Sequence, residues 1–168
     1  AVSSKGLIYV ADTNNHRIQV FSHEGIFFKS FGERNSSESL NTTGELHSPT
    51  VLAMDSLDRL YVVDSEGKRI VVFDEDGKYL VHSGDDGRSF GSFSRVVDIT
   101  LDENDNLYIA DQGNFTVKVV DPFGNLVLSF GAPGKEGRGY FQEISAVAAA
   151  EGKIYVSDYR SDQIQVFR

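Results

Sequence analysis

The chain has 168 residues, 40% of them hydrophobic, with 16 Lys and Arg against 25 Asp and Glu, giving a formal net charge of −9 and a sequence pI near 4.8. That is the length of one average domain with enough apolar content for a core, and the acidity disfavours nucleic acid, because neutralising phosphates needs clustered Lys and Arg. The absence of Cys rules out disulfides, thiolate zinc sites and thiol catalysis, and the longest uncharged apolar run, Ile144 to Ala150, is too short to span a bilayer.

In chain order every expected element is a strand. AVSSKGLIYV shows no signal peptide, and Ala1-Val2-Ser3 reads as the tail of a strand, as if the chain begins inside a fold. Leu7 to Ala11 and Arg17 to Phe21 alternate large β-formers around a polar DTNNH loop. The turn Ser22-His23-Glu24-Gly25 places Gly where positive φ is cheap, and Ile26 to Phe31 closes on Gly32. A polar stretch from Glu33 to Ser48 reads as a surface loop. The same order returns through Thr50 to Asp55, Leu60 to Val63, Arg69 to Phe73 and Tyr79 to His82. It returns again through Val96 to Asp102, Leu107 to Ala110, Thr116 to Val120 and Leu126 to Phe130, then through Ser145 to Ala150, Ile154 to Val156 and Gln163 to Phe167.

The Tyr that marks each unit falls at Tyr9, Tyr61, Tyr108 and Tyr155, a period of 52, 47 and 47 residues. Four antiparallel strands per period, here called a to d, with Gly-rich turns and no helix-period segment, predict an all-β chain built as a β-propeller. The units are about 1–32, 50–84, 96–131 and 145–168, with only a stub of strand a in the first and no strand d in the last. That makes about three and a half blades, read as a segment of a larger propeller, with assembly of several chains or an open array with associating edges as alternatives.

YVADTNNHRIQVF, from Tyr9 to Phe21, resembles the NHL repeat, and the linkers Gly44-Glu45-Leu46-His47-Ser48-Pro49, Gly91-Ser92-Phe93 and Gly139-Tyr140-Phe141 resemble the segment that precedes strand a in that family. Departures are Thr116 and Gln163 where the earlier units have Arg17 and Arg69, and Val96 and Ile144 where the first linker has Pro49. The resemblance implies a propeller of typically six blades. Family functions include protein recognition, RNA binding through a basic face, and peptide-amidating lyase activity with a bound zinc. WD-type and kelch-type propellers fit less well, since there is no Trp-Asp pair and no Gly-Gly doublet.

Asp12, Asp64, Asp111 and Asp158 end strand b in every unit, which favours a structural carboxylate bonded to the next backbone N–H groups and, in two units, to Arg17 or Arg69. His16, His23, His47 and His82 share no short metal-ligand spacing, so no metal or other cofactor is expected. Asp85-Asp86-Gly87 lacks the spacing of an EF-hand loop. N-glycosylation acceptor patterns at Asn35, Asn41 and Asn114 lean toward an extracellular or periplasmic location, with ordinary polar loops as the alternative.

The b to c loops and d to a segments share one face in a propeller. There the binding candidates are Asn14, Asn15, His16, Arg34, Lys68, Arg95, Phe115, Tyr140, Tyr159 and Arg160, because exposed aromatic and guanidinium groups supply contact area at low entropic cost. The expected function is a non-catalytic module recognising a protein or peptide, with no membrane insertion. A metal-dependent lyase or hydrolase is the alternative, and RNA binding is disfavoured by charge.

Overall fold

Period-two alternation is realised as strands throughout a computed structural model that describes residues 1–33, 44–84 and 92–168. Arg34, the acceptor patterns at Asn35 and Asn41, and Asp85-Asp86-Gly87 lie outside the described residues. The chain forms two compact units, Ala1–Ser83 and Gly84–Arg168.

In the first unit, β1 (Ile8–Asp12), β2 (Arg17–Phe21) and β3 (Phe27–Phe31) form one antiparallel sheet in that order, and a single bridge from Val2 to Ile8 supplies the stub of strand a. Strands β4 (Pro49–Met54), β5 (Leu60–Asp64), β6 (Arg69–Phe73) and β7 (Tyr79–Ser83) form a four-stranded antiparallel meander. In the second unit, β8 (Val96–Leu101), β9 (Leu107–Asp111), β10 (Thr116–Val120) and β11 (Leu126–Phe130) repeat the meander. A short parallel pair follows, β12 (Ala132–Pro133) with β13 (Tyr140–Phe141), which two-residue segments did not signal in the sequence. The last sheet is β14 (Ile144–Ala150), β15 (Lys153–Asp158) and β16 (Gln163–Phe167).

The repeat extends to the irregularities. Register shifts fall near the start of strand a, at Pro49/Leu52, Val96/Asp98 and Ile144/Ala146, and between c and d at Val20/Phe21, Val72/Phe73 and Val119/Val120. Such bulges add local twist and bend a strand at fixed places. The c to d turns are closed by a polar first residue: Ser22 Oγ, Asp74 Oδ1 and Asp121 Oδ1 each accept from the N–H groups two and four residues on.

Each unit has its own apolar core. Tyr9, Ile18, Val20, Leu46, Leu60, Val62, Val71 and Phe73 pack together in the first, and Ala110, Val117, Phe141, Ile144, Val147 and Val156 in the second. Full burial of each large aliphatic or aromatic side chain is worth roughly 1.5–3 kcal/mol relative to leaving it in water. The repeated Tyr lies with this scaffold. Tyr108 donates its hydroxyl to Asp102 Oδ2 at 2.9 Å, and desolvation together with that carboxylate pushes the phenol up to about 12. Neighbouring sheets within a unit are also joined by polar bonds. Asp58 accepts from Ser4 N–H and Oγ in the first unit, and Asp98 Oδ2 accepts from Val147 N–H at 2.9 Å in the second.

Candidate functional site

The carboxylates that end strand b explain how the loop face is held. Asp64 Oδ1 accepts from the N–H groups of His47 and Ser48, Asp111 from those of Ser94 and Arg95, and Asp158 from those of Gln142 and Glu143. Each therefore ties the segment before strand a to its own sheet, and all three are buried. Burial pushes the Asp158 carboxyl up, but the Gln142 and Glu143 N–H groups and the Ser161 hydroxyl outweigh it and hold the group below the usual carboxylate range. These carboxylates are structural, as expected, but the N–H groups they accept from lie 15 to 17 residues upstream rather than next along the chain.

The remaining oxygen is satisfied differently in each sheet. Arg17 Nε donates to Asp12 at 2.9 Å and Arg69 Nε to Asp64 at 3.1 Å, as the sequence suggested. Where Thr116 and Gln163 replace Arg, Asn114 Nδ2 donates to Asp111 at 2.6 Å and Ser161 Oγ to Asp158 at 2.7 Å. The Asn114 amide of the acceptor pattern is thus engaged in the frame. The Thr116 hydroxyl is left buried without a partner among the described residues. Thr116→Val, nearly isosteric and free of that hydroxyl, is expected to stabilise the chain by about 1 kcal/mol in urea unfolding.

Every b to c loop ends on a non-glycine residue in the left-handed region: His16 (φ 56°), Lys68 (φ 49°), Phe115 (φ 57°) and Asp162 (φ 51°). In three loops that residue caps a 3-10 turn, at Thr13–Asn15, Gln112–Asn114 and Tyr159–Ser161. This backbone costs an L-residue with a Cβ roughly 1–2 kcal/mol, most evidently a bulky one.

In the first unit Asn14 and Lys68 are exposed. Asn15 Nδ2 is committed to Asp12 Oδ1 at 2.8 Å, and His16 Nδ1 donates to the His47 carbonyl. In the second unit Arg95, Phe115 and Arg160 line one open cleft of about 300 Å³ together with Gln112, Gly113, Gln142 and Glu143. Arg160 Nε pairs with Glu143 Oε2 at 2.7 Å. Both amide nitrogens are spent on the walls, Gln112 Nε2 on the Ile144 carbonyl and Gln142 Nε2 on Ser161 Oγ, each at 2.8 Å. A Cβ on Gly113 would stand 2.3 Å from Ser94 Oγ and 2.9 Å from Arg95 N, so the loop approaches the d to a segment closer than any other residue permits.

Two candidates fall elsewhere. Tyr159 is 72% exposed and lines a separate shallow cleft with Ser145 and Ile164. Tyr140 is 47% exposed and its ring stands close to Gly134 and Gly137, where an added Cβ would come within 2.6 and 3.2 Å of it. Gln112, Gln142 and Glu143 were missed. The signal for them was positional, since Gln112 follows the strand b Asp as Thr13 does, and Thr13 Oγ1 donates to the Pro49 carbonyl just as Gln112 donates to that of Ile144.

The zinc of the amidating lyases finds no ligand set among the described residues, where no group of three His, Asp or Glu side chains is placed to hold a metal ion. Besides the His16 bond, His23 pairs with Glu24 and His82 Nδ1 with the Tyr79 hydroxyl. Nor is any helix among the described residues long and apolar enough to cross a membrane.

Solved structures with this arrangement include virginiamycin B lyase from Staphylococcus aureus, 14% identical with a TM-score of 0.67, covering 99% of this chain and 53% of the lyase chain. The WD40 β-propeller domain of Doa1 is 19% identical with a TM-score of 0.71 over 100% of this chain and 49% of its own, and the WD40 repeats of RRP9 are 16% identical with a TM-score of 0.66 over 99% and 49%. These likenesses show the fold alone, and this chain spans about half the length of each. The class is the β-propeller, here a partial one with two four-stranded and two three-stranded antiparallel sheets among the described residues. Residues 1–21 match the NHL repeat and residues 39–121 match a family described as a 6-bladed beta-propeller, both consistent with an NHL-repeat β-propeller. No curated protein sequence matches it.

Proposed function

We propose that the chain is a non-catalytic recognition module that takes a protein or peptide on the face formed by its b to c loops and d to a segments. The observation that carries this reading is the convergence of Arg95, Phe115 and Arg160 in one cleft whose walls are fixed by the Gln112 and Gln142 bonds. A planar ring and guanidinium groups on a pre-organised frame bind with little ordering cost, which is where affinity at small interfaces comes from. Fold likeness to enzymes and to WD40 domains does not choose between catalysis and recognition.

In a selection of random dodecapeptides displayed on phage, the wild-type chain is expected to enrich sequences whose affinity falls about tenfold or more with Phe115→Ala, the size of an interface anchor. Lys153→Ala, far along the last sheet, should leave them unchanged. A selection that enriches nothing over bare support, or peptides indifferent to Phe115, would remove the proposal.

A further inference from the structure

Within that reading, on which this step rests, we infer that the cleft of the second unit is built for an acidic peptide segment, with a carboxylate on Arg95 and the adjoining side chain on the Phe115 ring. The hydrogen-bonding inventory of the cleft leads there. The Gln112 and Gln142 amide nitrogens already donate to the frame, and Arg160 spends its Nε on Glu143. Arg95 gives only its backbone N–H, to Asp111, and its exposed guanidinium has no hydrogen-bond or ion-pair partner among the described residues. A guanidinium offers five N–H donors in a planar fork that matches a carboxylate bidentately.

The cleft thus gathers two guanidinium groups against one carboxylate, Glu143, in a chain whose net charge is −9. Such a local reversal of sign selects an anion from a surface that otherwise repels one. Phe115 sets the second half of the chemistry. Its ring is half-buried, lines the cleft, and is not among the side chains packed on the apolar core of this unit. A single anionic group beside an apolar or aromatic one fits this pair better than a polyphosphate backbone, which the overall charge repels. The carboxylate can come from an Asp or Glu side chain or from a peptide C-terminus.

The test uses the full chain and the peptides enriched in the dodecapeptide selection, resynthesised both C-amidated and as free acids. The expected result is an Asp or Glu beside an aromatic or aliphatic residue, with affinity reduced at least tenfold by Arg95→Ala in the protein or by Gln for Glu in the peptide. Combining the two changes should cost little more than either alone. Arg95→Lys should recover part of the loss, as a point charge without the fork. Binding that survives amidation assigns the carboxylate to a side chain, and binding that needs the free acid assigns it to the C-terminus. Enriched peptides without acidic residues that still depend on Phe115 overturn the inference and leave the recognition reading standing, whereas no enrichment ends both. Tight binding of a dodecameric oligouridylate, lost in Arg95→Ala, would assign the guanidinium to phosphate and also overturn it.

Discussion

Asp64→Ala is expected to cost about 3–5 kcal/mol in urea unfolding, the range for breaking a buried ion pair from one side. The Asp64 and Arg69 side chains are 0% and 4% exposed, with Arg69 Nε 3.1 Å from Asp64 Oδ2. Removing the carboxylate therefore strands a guanidinium in the interior together with the N–H groups of His47 and Ser48, which lose their acceptor at 2.9 and 2.7 Å. The bond from Arg69 Nη2 to the Glu45 carbonyl, at 2.6 Å, remains and keeps the charge in place, so it cannot swing to water. Asp12→Ala at the same repeat position should be milder, because among the described residues Asp12 accepts only from the side chains of Asn15, Arg17 and Gln19 and is partly solvated. The double change Asp64→Leu with Arg69→Met should recover much of the loss, because an apolar pair of similar volume avoids the desolvation of two ions. Equal losses for Asp64→Ala and Asp12→Ala would show that the d to a tie is not what the carboxylate provides.

The contrast between those two Asp residues shows how far the sequence could be read. Strands, turns and the position of the four carboxylates were legible because alternation sets a strand and an Asp at its end marks a turn, whereas the N–H groups that Asp64, Asp111 and Asp158 accept from lie 15 to 17 residues upstream and were not read. The partners of each carboxylate were legible only where Arg follows at a fixed offset, as Arg17 and Arg69 do. The substitutes Asn114 and Ser161 were not read, since three residues along a loop the geometry depends on the 3-10 turn that places them. The cleft lay further out of reach. Arg95, Phe115 and Arg160 could be selected by type and loop position, but which of ten candidates share a cleft depends on segments up to tens of residues apart. Tyr140 illustrates the limit, because it is 47% exposed yet stands beside Gly134 and Gly137 rather than in the cleft with Arg95, Phe115 and Arg160.

Gly131→Ala is the substitution expected to join scaffold and site, with a stability loss of about 3 kcal/mol from a special backbone conformation and a steric overlap acting together. Gly131 sits at φ +117°, which residues with a Cβ rarely adopt, and an added Cβ would stand 2.3 Å from the Phe115 carbonyl oxygen and 3.0 Å from Thr116 Cα. Those are backbone atoms, so no rotamer change relieves the contact. The Phe115 Cα must move instead, and Phe115 is the left-handed residue that lines the cleft. Gly139→Ala provides the control. It also has positive φ, +84°, but nothing lies within 4 Å of its added Cβ, so only the conformational cost of about 1 kcal/mol applies. Gly131→Ala should therefore both lower the urea midpoint by more than Gly139→Ala and weaken cleft-dependent peptides at temperatures where the protein is fully folded, measured by circular dichroism and fluorescence anisotropy on the same samples. A Gly131→Ala chain that loses stability yet binds those peptides with unchanged affinity would mean that the closing glycine supports the sheet without setting the position of Phe115.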